Sequence, residues 1–180
     1  MKTPDVQAFK KLIATATLPA LGPQRRPEAR SAAELHLALD AFFRTAPGAL
    51  EHEQPLRSAA MLWHDHLDES HQISQNLPDT TGSFLHGIMH RREPDYGNAK
   101  YWFSRVGEHA SSPVLARRVS ELLAKQAVPD PGLTRLGASG RWDAFQFVDL
   151  CEAAANAQQP RYQLLQQIQA VEFETLLEHL

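Results

Sequence analysis

Histidine and carboxylate side chains recur at helical spacing in one quarter of this chain. His86, His90 and Glu93 stand at i, i+4 and i+7, so on a helix they stack on one face. Two imidazoles and a carboxylate so placed are a donor set for a divalent transition metal such as zinc, iron or manganese. His64, Asp68 and His71 repeat the spacing. We therefore expect a site in which His64, His86, His90 and Glu93 are metal ligands or acid–base groups, with Asp68 as a carboxylate partner and His71 at the boundary of the buried stripe. A metal with an open position lowers the pKa of its bound water and makes a hydrolytic nucleophile. Without a metal, a histidine serves as general base, because its pKa lies near neutrality. Gly87 follows His86, so this is not the zinc-protease pattern, which places a glutamate there.

Arg91, Arg92, Tyr96, Asn98 and Lys100 follow closely. Arginines fork onto carboxylate or phosphate oxygens, so these residues are expected to bind a small anionic ligand, with Arg91 and Lys100 neutralising it. Asp95 is placed to cap the helix that carries Lys100. The same residues have a plainer reading. His66 falls inside the apolar stripe, Asp68 can pair with Arg91 or Arg92, and Tyr96, Trp102 and Phe103 sit at core spacing. The alternative to a binding site is thus a non-enzymatic helical scaffold, in which these side chains form a structural polar network and an interaction face, for a partner or a homodimer.

The elements that must position these residues are helical throughout. Apolar residues recur at i, i+3 and i+7, and the spacing predicts helices over 4–17, 31–45, 54–76, 82–92, 95–106, 112–127, 142–155 and 160–180. Ser31 with Glu34 forms a capping box, Gly107 is a helix-ending glycine, and Ser112-Pro113 opens a helix. Residues 18–30 and 128–141 read as long loops. The expected fold is all-α, a single bundle-like domain of about eight helices over residues 1–180.

Composition narrows the classes further. The chain has 180 residues, one cysteine, nine histidines and a net charge of −3. Six of the histidines (His64, His66, His71, His86, His90 and His109) fall between residues 64 and 109, where an even spread would put about two. One cysteine excludes an internal disulfide and any four-coordinate zinc site that needs two or more thiolates. Basic spots at Arg25, Arg26, Arg30, Arg117 and Arg118 are interspersed with acids, which argues against nucleic-acid binding. No run approaches a membrane span and no signal peptide is evident, so a cytoplasmic location is expected.

The stretches from Trp63 to His71, Gly82 to His86, His90 to Phe103 (HRREPDYGNAKYWF) and Trp142 to Glu152 resemble a family of uncharacterised soluble proteins from bacteria and fungi. The resemblance covers about a third of the chain. It implies no activity, substrate or catalytic residue. It does imply that Trp142, Asp143, Asp149 and Glu152 belong with the histidine region.

Overall fold

The computed structural model describes residues 6–126, 130–154 and 160–180. Among these the chain is all-α, with nine α-helices and no strand. They are α1 (Val6–Ile13), α2 (Ala32–Thr45), α3 (Glu53–Trp63), α4 (Leu67–Ser74), α5 (Thr80–Arg92), α6 (Tyr96–Val106), α7 (Ser112–Ala124), α8 (Ala144–Ala153) and α9 (Arg161–Leu177), with a 3₁₀ segment at Pro47–His52. None is long and apolar enough to cross a membrane. One continuous cluster of buried apolar side chains draws on all nine, from Phe9 of α1 to Leu176 of α9.

Local signals set most helix ends. Ser31 and Glu34 form the expected capping box. Asp79, Asp95 and Asp143 accept from the backbone N–H groups of Gly82, Asn98 and Gln146 and so open α5, α6 and α8. Gly107 ends α6 with φ 57°. The cap of α7 is Ser111 rather than Ser112, with Pro113 in the first turn. Several expected helices are shorter at their ends, and the expectations for residues 4–5, 127–129 and 155–159 lie outside the described residues.

The expected helix over 54–76 is two helices. Its break is a complete Schellman motif. His66 N–H bonds Met61 O at 2.9 Å, Asp65 N–H bonds Leu62 O at 3.3 Å, and Asp65 takes the left-handed φ of 67°. Glycine ordinarily fills that position because it has no Cβ to clash. Here the strained residue is an aspartate held by two arginines. Its Oδ2 accepts from Arg26 N–H and Nε, and its Oδ1 from Arg92 Nη2 at 2.6 Å.

Residues 18–30 form a strap over the helices, and buried side chains hold it to them. Gln169 donates to Pro19 O and Ala20 O, and Leu21 N–H donates to the Tyr162 hydroxyl. Arg30 N–H donates to His64 Nδ1, and Arg30 O lies 2.7 Å from His66 Nε2. In α5, every residue from Gly82 to Arg92 is buried. It packs most closely on α6, where a Cβ at Gly87 would stand 3.0 Å from the Phe103 ring. The bare backbone there lets the two helices approach.

Candidate metal centre

Two of the three histidines that meet in this fold come from one turn of α5. His86 and His90 are four residues apart, so their rings stand side by side, with centroids 4.7 Å apart. The third, His71, comes from α4 across the interface. Its ring centroid lies 4.6 Å from that of His86 and 5.3 Å from that of His90, edge-on to both. One ring nitrogen from each of the three lies within 4.8 Å of the others. His86 and His90 are buried and His71 is half-buried. Three imidazole nitrogens converging at this distance can hold a metal ion.

The surroundings fix two of the rings. Trp102 of α6 stacks on His86, with centroids 3.9 Å apart and planes 20° apart. The close α5–α6 approach at Gly87 makes that contact available. His90 Nδ1 lies 3.0 Å from Glu93 Oε2. The Asn98 side-chain nitrogen lies 3.1 Å from His90 Nε2 and 3.5 Å from its Nδ1. His86 Nδ1 is buried with no hydrogen-bond partner, an unusual state for a polar atom in a folded core.

Burial favours the neutral form of His86 and His90. It lowers the His86 pKa to about 4, with the neighbouring His90 and His71 adding to the effect and the Ser74 backbone opposing it. Burial also lowers His90, against the pull of Glu93. A neutral imidazole is the form that ligates metal, so His86 and His90 need release no proton at pH 7.

The structure rearranges the remaining candidates. His64 does not join His86 and His90. It caps α3, and the Schellman break turns it toward the strap, where its Nδ1 accepts from Arg30. Its pKa falls to about 4, through burial first and then the Arg30 and Arg26 charges. Asp68 is exposed in the first turn of α4. The helical wheel that aligned it with His64 and His71 assumed a helix unbroken at residue 65. Glu93 is at the C-cap of α5 and half exposed. It contacts the His90 ring and is not one of the three converging donors.

Arg91 and Arg92 are taken up by carboxylates of the chain itself. Arg91 is fully buried and forks onto Glu172 of α9, Nη1 to Oε1 at 3.1 Å and Nη2 to Oε2 at 2.5 Å. Its guanidinium carbon lies 4.4 Å from the Phe147 ring centroid. Arg92, equally buried, donates to Asp65 and, at 2.5 Å, to Leu62 O. Lys100 pairs with Asp149 of α8. Tyr96 packs against the core, where burial raises its pKa. Asn98 alone of the expected anion binders touches the histidines.

Of the four residues brought in by the resemblance, Asp143 caps α8, Asp149 holds Lys100, Glu152 is exposed, and Trp142 donates its backbone N–H to Ser112 Oγ. Sequence reasoning missed the stacking of Trp102 and the buried counter-ions Asp65 and Glu172. A Trp102 signal was present, since it stands four residues after Asn98 and so shares that residue's face of α6. Nothing local marked Glu172, 81 residues from its partner. Comparison with protein-family models, with curated proteins and with solved structures gives no match to this chain.

Proposed function

We propose that this protein binds one divalent transition metal, with zinc the best fit, through His71, His86 and His90. The observation that carries the reading is the convergence of three ring nitrogens within 4.8 Å. A tetrahedral zinc holds its nitrogen ligands about 3.3 Å apart, so closure around an ion needs side-chain movement on the order of 1 Å. Three histidines leave a fourth position open for water or a small ligand. A zinc-bound water there would be acidic enough to act as a hydrolytic nucleophile near neutral pH. Arg91, Arg92 and Lys100 are engaged elsewhere, so the reading rests on the metal and not on capture of an anion.

The test uses protein purified without a polyhistidine tag, stripped with chelator and titrated with zinc by calorimetry. One ion per chain is expected. His71→Ala, His86→Ala and His90→Ala should each abolish stoichiometric uptake while far-UV circular dichroism stays helical. No uptake by the wild type, or full uptake by all three variants, overturns the reading.

A second reading has its own observation. The buried pairs Arg91–Glu172 and Arg92–Asp65 are a structural polar network, as a non-enzymatic scaffold requires. Under that reading the histidines are packing groups too. His86→Ala would then lower stability, and zinc would change nothing.

A further inference from the structure

Glu93 was expected as a ligand, and it stands instead behind one. We infer that Glu93 is a positioning residue of the metal centre proposed above, on which this inference rests: it fixes the His90 tautomer that presents Nε2 to the ion.

The argument begins at the last turn of α5. The Glu93 backbone N–H bonds Met89 O at 2.9 Å, and Asp95 N–H bonds His90 O at 3.0 Å. The chain is therefore tied on both sides of the glutamate, and the carboxylate is held beside the ring one turn back. A carboxylate only accepts hydrogen bonds. Its contact with His90 Nδ1 at 3.0 Å therefore requires the proton on Nδ1, and the lone pair is left on Nε2. In water a neutral histidine prefers the opposite arrangement, with its proton on Nε2. Without Glu93 the donor atom of His90 would be the wrong one.

Asn98 completes the support. Its amide nitrogen is nearly equidistant from the two ring nitrogens, at 3.1 and 3.5 Å. A donor aimed along the Nε2 lone pair would be much farther from Nδ1. The amide thus lies alongside the ring and braces it, and the Nε2 lone pair stays open. Carboxylate–histidine–metal relays of this kind orient the ligand, and their loss typically costs about 10–100-fold in metal affinity.

The experiment has one arm with no metal and one with it. Long-range ¹H–¹⁵N NMR of the chelator-treated protein at mildly alkaline pH reads the His90 tautomer directly. The wild type should carry the proton on Nδ1 and Glu93→Ala on Nε2. Glu93→Gln keeps an oxygen that accepts from Nδ1 and should hold the wild-type tautomer. Cobalt titration, followed by calorimetry and by the visible absorption of the bound ion, should then give about 10–100-fold weaker binding for Glu93→Ala and near-native binding for Glu93→Gln.

An Nε2 proton in the wild type overturns the inference whatever the metal does. So does unchanged cobalt affinity in Glu93→Ala. If Glu93→Gln binds as weakly as Glu93→Ala, the carboxylate acts through its charge and not by positioning, and the inference fails. If the tautomers are as expected but the wild type binds neither cobalt nor zinc, the metal-binding reading fails with the Glu93–His90 geometry intact.

Discussion

Helix α5 carries two polar clusters within seven residues, and they are built on opposite terms. Arg91 and Arg92 are buried with carboxylate and carbonyl oxygens matched to their Nη groups. His86, more than a turn earlier, and His90, the residue before Arg91, are also buried, and their rings lie against each other and against His71. Imidazoles cannot all satisfy one another, and His86 Nδ1 is left with no partner. The arginine cluster pairs its charges with Glu172 and Asp65, although the Nε of each arginine is itself without a hydrogen-bond partner. The histidine cluster keeps donor atoms in reserve. Neither burial nor an unpartnered nitrogen alone distinguishes structure from function; an arginine N–H can only donate, whereas a neutral imidazole keeps a lone pair that can ligate a metal.

The arginine side should show the largest effect. Glu172→Ala leaves the Arg91 charge buried and unpaired, which should cost about 3–5 kcal/mol in urea unfolding. Replacing both partners, Arg91→Met with Glu172→Leu, should recover most of that loss. A loss under about 1 kcal/mol in the single variant would break the contrast.

The histidine side should answer to acid. A buried histidine whose pKa lies below its unfolded value stays neutral while the unfolded chain takes up a proton, so stability is full above the ordinary 6.5 and falls as the pH drops toward 4. For His86, moved from 6.5 to about 4, the full loss is about 3 kcal/mol. His64 behaves alike. Urea unfolding of chelator-treated protein across that range should show the decline, and His86→Gln should make it shallower while the His64 contribution remains. Asp65 runs the other way. Burial alone would raise its pKa, but Arg26 and Arg92 more than offset this and hold it below the ordinary 3.8, so it should stay ionised through that range.

Zinc sharpens the same contrast. Free metal at a hundred times its dissociation constant should raise folding stability by about 2.7 kcal/mol, read as an upward shift in Tm. His71→Ala should remove the shift, whereas Glu172→Ala should keep it on a lower baseline. The smallest effect belongs to Lys100→Ala. Its pair with Asp149 is partly exposed, so stability should change by less than about 1 kcal/mol, with zinc affinity unchanged.

The same division explains what the sequence made legible. Helix type and most boundaries followed from local spacing and caps, as at Ser31, Asp95 and Gly107. His86 and His90 were legible as a pair because one helical turn brings them together. His71 was misassigned because the turn after α3 uses an aspartate where glycine is the usual marker, and a wheel drawn through that turn rotates every later residue to the wrong face. The arginines were misread for another reason. Charged residues are rarely buried without a partner, and the partner Glu172 lies on α9, beyond the reach of any local pattern.

Gly87 gives the core a voice in the chemistry. The Phe103 ring rests against its bare backbone, and Trp102, the preceding residue, lies over His86. The height of α6 above α5 and the orientation of a ligand ring are therefore one mechanical coordinate. A methyl group added at residue 87 would stand 3.0 Å from the Phe103 ring, so that ring or the helix carrying it and Trp102 would have to give way. Substitutions that ordinarily drift freely in an apolar interior would here be felt as detuning of the histidine triad.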